Sequence, residues 1–144
     1  MIVSEIEIQY KRKAVKMQTV RAVGDAYKVL KSVYDYNKID HKEFTYCLYL
    51  NRSKKVLAVM LISEGGTAGC VCDLKLIFQG ALKVNAHSFI LSHNHPSGSV
   101  KPSTQDIKLT DQIKQAGNIM DIDLVDHIII SRRGYYSFAK RGLI

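Results

Sequence analysis

The sequence reads as a mixed α/β domain in which helices flank a mixed central sheet. Three observations predict this class. Segments alternating with period two, over 43–50 and 56–62, interleave with segments at helical spacing, over 22–37, 73–86 and 103–116. A short apolar run at 88–91 has the makeup of a buried central strand. The chain of 144 residues, 47% hydrophobic and 24% charged, is long enough for one continuous core.

Taken in order, MIVSEIEIQY alternates with Ile6, Ile8 and Tyr10 on one side, which predicts an edge or half-buried strand over 2–10. Its edge is available for pairing with a second copy. The basic, turn-poor residues 11–21 read as a connector. Ala22, Ala26, Tyr27, Leu30, Val33 and Tyr34 then recur on one helical face. Over 43–50, Phe44, Tyr46, Leu48 and Leu50 share one face, with Glu43, Thr45, Cys47 and Tyr49 on the other. NRSKK turns this strand back into the next, 56–62. Gly65, Gly66 and Gly69 lack the spacing of a phosphate loop and mark turns. A helix over 73–86 is expected with Asp73 as its N-cap and Leu76, Ile77 and Leu82 towards the core. The strand at 88–91 precedes a helix over 103–116, expected to break at Gly117. Leu124 and Val125, then 128–130, supply another strand, which SRRG turns into 135–138.

Formal net charge is +8, with basic clusters at Lys11, Arg12, Lys13 and Lys16, at Arg52, Lys54 and Lys55, and at Arg132, Arg133, Lys140 and Arg141. Such a surface admits weak, non-specific contact with DNA, and equally a solvated surface without a partner. No helix-turn-helix or zinc-finger pattern accompanies it. No apolar run approaches the roughly 18 residues needed to cross a bilayer, so no membrane association is expected. The opening residues do not read as a secretory signal. Cys47, Cys70 and Cys72 are odd in number and form no CxxC pair, which points to a reducing cytoplasm rather than a disulfide framework.

The stretch SHNHPSGSVKPSTQD carries the chemistry. His93 and His95 stand two apart where the apolar strand opens into a loop, so their rings can converge while Asn94 points away. Pro96 and Pro102 discourage regular structure between, and Asp106 lies one turn into the following helix. Two imidazoles and a carboxylate suit a borderline ion such as Zn2+, with a fourth position left for water as in catalytic rather than structural sites. The same residues admit a plainer role. Ser103-x-x-Asp106 has the composition of a capping box, and the two roles are compatible.

A water-activating site needs a proton acceptor. There is no HExxH, and the candidate carboxylates are Glu43, Glu64, Glu5, Glu7, Asp73 and Asp126. Glu43 stands out because it starts a strand with a well-defined apolar face. His127, within VDHIII, reads as a hydrogen-bonded core histidine more than as a third ligand. His41 and His87 have no partner pattern, and Cys70 and Cys72 read as buried thiols.

HNHPSGSVKPSTQD resembles the signature of the RadC-like family, a branch of the JAB/MPN metalloproteases with the JAMM motif, Glu … His-x-His-x(7)-Ser-x-x-Asp. The resemblance continues through EFTYCLYLNRSKKVL, LKLIFQGALKVNAHSFIL, DLVDHIIIS and GYYSFAKRGL, and EIEIQYKRK is similar to the start of short RadC-like proteins of mobile elements. It divides the chain into an N-terminal strand and basic connector, 1–19, and a RadC-like JAB/MPN domain, 20–144. It implies a sheet flanked by helices, related to the cytidine deaminase-like group. It further implies zinc held by His93, His95 and Asp106, Glu43 as general base, and Ser103 steadying the water or the oxyanion. Ser97 and Asn94 match the signature and are expected to shape the loop. The implied activity is hydrolysis of peptide or isopeptide bonds in a protein or peptide substrate; the alternative is a DNA-repair-associated accessory protein that binds DNA through its basic surface, with a structural or vestigial zinc site. Full-length members resemble this chain only in their C-terminal part; their helix-hairpin-helix region has no counterpart in these 144 residues. Where a Pro-Arg pair often precedes the middle helix, this chain has Leu74-Lys75, which keeps the charge without arginine's bidentate geometry.

Overall fold

A computed structural model describes residues 3, 4, 7, 17–65 and 72–144. Most of the expected strand over 2–10 and most of the basic connector, with Gly66, Gly69 and Cys70, lie outside the described residues. The described elements are α1 (Val23–Val33), β1 (Phe44–Leu50), β2 (Val56–Glu64), α2 (Leu74–Lys83), β3 (Ser88–Asn94), α3 (Thr104–Met120), β4 (Asp123–Ser131) and β5 (Gly134–Ser137), followed by a 3₁₀ turn, Ala139–Arg141. The strands form one sheet of five in the order β2-β1-β3-β4-β5. Only β3 and β4 run parallel, joined by α3 as the crossover; the other pairs are antiparallel. This is the mixed, helix-flanked sheet that the element order predicts. Among the described residues no helix is long and apolar enough to cross a membrane.

Period-two alternation sorts the core into two layers. Leu48, Leu50, Ile90, Ile128 and Ile130 pack beneath Ala26, Val29 and Leu30 of α1. Cys47, Tyr49, Phe89, Leu91 and Leu124 pack against Ile77, Phe78 and Ala81 of α2 and Ile113 of α3. The caps follow the sequence: Asp73 accepts from Lys75 N (2.8 Å) and Ser103 from Asp106 N (3.0 Å).

Four boundaries differ from expectation, each for a physical reason. Helix α1 stops at Val33 rather than near 37, because Tyr34 turns extended and buries its hydroxyl against Ser92 Oγ at 3.0 Å. Strand β3 continues through Ser92, His93 and Asn94, all buried despite their polarity. Strand β4 is continuous across His127. Helix α3 passes through Gly117 and ends at Asp121, which takes the left-handed conformation with φ of 56°. Gly117 is there for proximity. A Cβ at this position would lie 2.5 Å from the Ile122 carbonyl oxygen. Cys72 is half-buried rather than buried.

Replacing Gly117 with Ala gains about 1 kcal/mol of helix propensity but drives a methyl group into backbone. A net destabilisation of about 1–3 kcal/mol is expected, read as a lower urea midpoint with unchanged slope; a stabilised variant would contradict the close-approach account.

Candidate metal centre

The site is assembled by the end of β3 and the start of α3. Along β3, Ile90, Ser92 and Asn94 face α1, whereas Phe89, Leu91 and His93 face α2 and α3. Asn94 is fully buried. Its Oδ1 accepts from Phe44 N at 2.8 Å, and its Nδ2 donates to the carbonyls of Ile39 at 2.7 Å and Lys42 at 2.8 Å. One side chain thereby fastens segment 39–44 to β3. Each bond contributes about 1 kcal/mol net, whereas orphaning a buried backbone group costs about 1–3 kcal/mol.

On the opposite face His93 and His95 meet Asp106. His93 Nε2 lies 3.0 Å from His95 Nε2 and 3.3 Å from Asp106 Oδ1, and His95 Nε2 lies 3.2 Å from Asp106 Oδ2. Among the described residues this is the one cluster of three such side chains that could hold a metal ion. The second nitrogen of each ring is occupied. His95 Nδ1 donates to the Ser99 carbonyl at 2.9 Å, and His93 Nδ1 lies 2.7 Å from Nε2 of His127. A carbonyl only accepts, so His95 must carry hydrogen on Nδ1, leaving Nε2 as its ligand atom. Donors about 2.0–2.1 Å from a tetrahedral ion stand roughly 3.3 Å apart. The observed spacing fits a small divalent ion that accepts nitrogen and oxygen donors.

Capping and clustering use the same residues. Ser103 N donates to Asp106 Oδ2 at 2.7 Å while Ser103 Oγ accepts from Asp106 N. An oxygen accepting in this way still has its own proton to donate. Burial works to raise the Asp106 carboxyl, but hydrogen bonds from His93, His95 and Ser103 outweigh it and hold the group far below the carboxylate range. His95 is raised by its bond to Asp106, against burial and with help from the Ser99 carbonyl.

Glu43 stands one residue ahead of β1. Thr45 pairs with His93, and the same register extended by two residues sets Glu43 opposite His95. By parity it shares a face with Thr45, Cys47 and Tyr49, away from α1. Partial burial pushes its carboxyl up; His93 and His95 pull it back, and Asp106 pushes it further up. All three donors therefore act on it electrostatically. Three of the other candidate carboxylates are engaged elsewhere. Glu64 pairs with Lys42 at 3.0 Å, and Asp73 caps α2. Asp126, raised by burial, accepts from Ser137 Oγ, His127 N and Ala139 N and anchors the final turn. Glu5 lies outside the described residues. His41 and His87 are exposed.

His127 is a buried, hydrogen-bonded histidine, kept neutral chiefly by burial. Its Nδ1 lies 2.6 Å from Thr110 Oγ1. Thr110 escaped the sequence reading, although its place four residues after Asp106 sets both on one helical face.

Site and sheet together define a JAB-type domain. A family model, the RadC-like JAB domain, matches residues 20–143, and the chain belongs to this family. It is 37% identical over 145 residues to a "UPF0758 protein" of Flavobacterium johnsoniae, covering 99% of this chain and 62% of that one. A namesake from Chlorobium chlorochromatii is 38% identical over 130 residues, 90% of this chain and 57% of the other. One from Porphyromonas gingivalis is 32% identical over 144 residues, 99% and 63% respectively. The chain spans about 60% of the length of these relatives.

Raising the His95 pKa above the ordinary imidazole value of 6.5 extends its protonated form to higher pH. An ion must displace that proton. Affinity for a divalent metal ion should fall as pH drops through this raised value and level off above it, with protons released on binding. Titration calorimetry in buffers of different ionisation enthalpy checks this; binding without proton release near neutrality would contradict it.

Proposed function

We propose that this chain, through a domain over 20–144, is a cytoplasmic zinc-dependent hydrolase of peptide or isopeptide bonds in a protein or peptide substrate. The observation that carries the reading is the convergence of His93, His95 and Asp106 on one point, with Glu43 held on the same face by strand register.

Amide hydrolysis needs an activated water, a polarised carbonyl and a proton for the leaving amine. Zinc bound by the three donors would supply Lewis acidity, bringing the pKa of water from 15.7 to about 7. Glu43 takes the proton from water and delivers it to the leaving nitrogen. In the chain without metal, burial chiefly raises its carboxyl, a direction that suits a group which must take a proton and give it back. Ser103 donates its hydroxyl proton towards the developing oxyanion, the charge whose stabilisation is usually the largest electrostatic contribution.

The test is a screen of peptides and isopeptide-linked conjugates with the zinc-loaded chain, followed by Glu43→Gln. That variant should keep its zinc and lose about 10²–10⁴-fold in rate. Cleavage by Glu43→Gln at the wild-type rate would sink the assignment. DNA binding that survives loss of all three donors, without any peptide cleavage, would instead favour a DNA-associated accessory role for the basic surface.

A further inference from the structure

Strand β4 runs parallel beside β3 and sets His127, 1% exposed, on the α3 face next to His93. Three contacts then form a chain with one possible direction. Thr110 Oγ1 donates to the Asp106 carbonyl at 2.6 Å, which commits its only proton. Towards His127 Nδ1, 2.6 Å away, Thr110 can therefore only accept, so the hydrogen of neutral His127 sits on Nδ1. Its Nε2 is left as an acceptor, and the contact at 2.7 Å must be a donation from His93 Nδ1. In the neutral, metal-binding ring that leaves His93 Nε2 bare, aimed at His95 and Asp106, whereas the protonated ring donates from the same nitrogen to Asp106. The ring of Phe138 stacks on His127 at 4.6 Å and 16°, fixing its plane.

We infer that His127 is a positioning residue for the metal centre: with Thr110 it dictates which nitrogen of His93 carries hydrogen and so presents Nε2 as a ligand. The chain begins at the backbone of one ligand, Asp106, and ends on the ring of another. It ties the first turn of α3 to the end of β3 through a neutral imidazole rather than the more usual carboxylate or carbonyl. The inference rests on the metal reading of the cluster.

The experiment measures zinc affinity by chelator competition and the visible spectrum of the cobalt-loaded chain, with thermal melting as the folding control. His127→Phe keeps the stacking on Phe138 but removes acceptor and donor. It should weaken zinc about 10–100-fold and alter the cobalt bands, while His127→Gln, which keeps an acceptor and a donor, recovers part of the loss. Thr110→Val retains the volume of Thr110 and should weaken binding in the same direction by freeing the tautomer of His127. A folded His127→Phe with wild-type affinity and spectrum would overturn the inference. Should His127→Phe fail to fold, unchanged affinity in Thr110→Val would overturn it. A wild-type chain that binds neither zinc nor cobalt removes the metal reading, and this inference with it; normal wild-type binding with unaffected variants removes the inference alone.

Discussion

Asn94 makes three hydrogen bonds with one buried side chain, and the geometry of the site depends on the direction it faces. Successive residues of a strand point to opposite faces, so fixing Asn94 towards α1 aims His93 the other way. Those same bonds hold Ile39, Lys42 and Phe44, the segment from which Glu43 emerges. A one-residue slip between β1 and β3 would turn every side chain of one strand to the wrong face and set Asn94 among apolar residues. Burying an amide without partners costs several times what a single satisfied bond contributes. The register is therefore strongly determined at the point where the candidate site begins.

The two faces of β3 divide the work. Towards α1, Ser92 and Asn94 tie the strand to Tyr34 and to the segment ahead of β1. Towards α3, His93 is held through His127 and Thr110 to the helix that carries Asp106. Each polar side chain at the strand end is thus satisfied by a different element. This is how a row of buried polar groups escapes the penalty such groups otherwise carry. It also makes β3 the common reference for the proposed base and for all three candidate ligands.

The sequence made the alternation of β1 legible, and with it the face that Glu43 shares with Thr45. Asp73 and Ser103 were legible as caps because capping acts over two or three residues. The extent of β3 was not. Apolar periodicity ends at Leu91, and Ser92, His93 and Asn94 look like loop until their partners are known. Those partners stand 58, 34 and 50 residues away, at Tyr34, His127 and Phe44. No local pattern contains them. Gly117 misled for the opposite reason: a residue that weakens isolated helices is retained where the chain must pass close to Ile122. The histidine–aspartate spacing was legible as a metal pattern, while the directed chain behind His93 needed the parallel pairing of β3 and β4.

Asp106 carries the tightest combination of roles. At the third position of α3 it lies where the helix dipole and the Ser103 amide favour an anion. The first turn of α3 therefore keeps it ionised before any cation arrives, and the two histidines add to that preference. An anion stabilised by amides donates less strongly than one in water, but it needs no reorganisation when a metal ion binds. His95, whose proton the same carboxylate stabilises, is the group that must change state on binding. Cap and cluster are thus one arrangement: the helix start supplies a fixed negative charge, and the strand end supplies two nitrogens whose availability depends on where their protons are held.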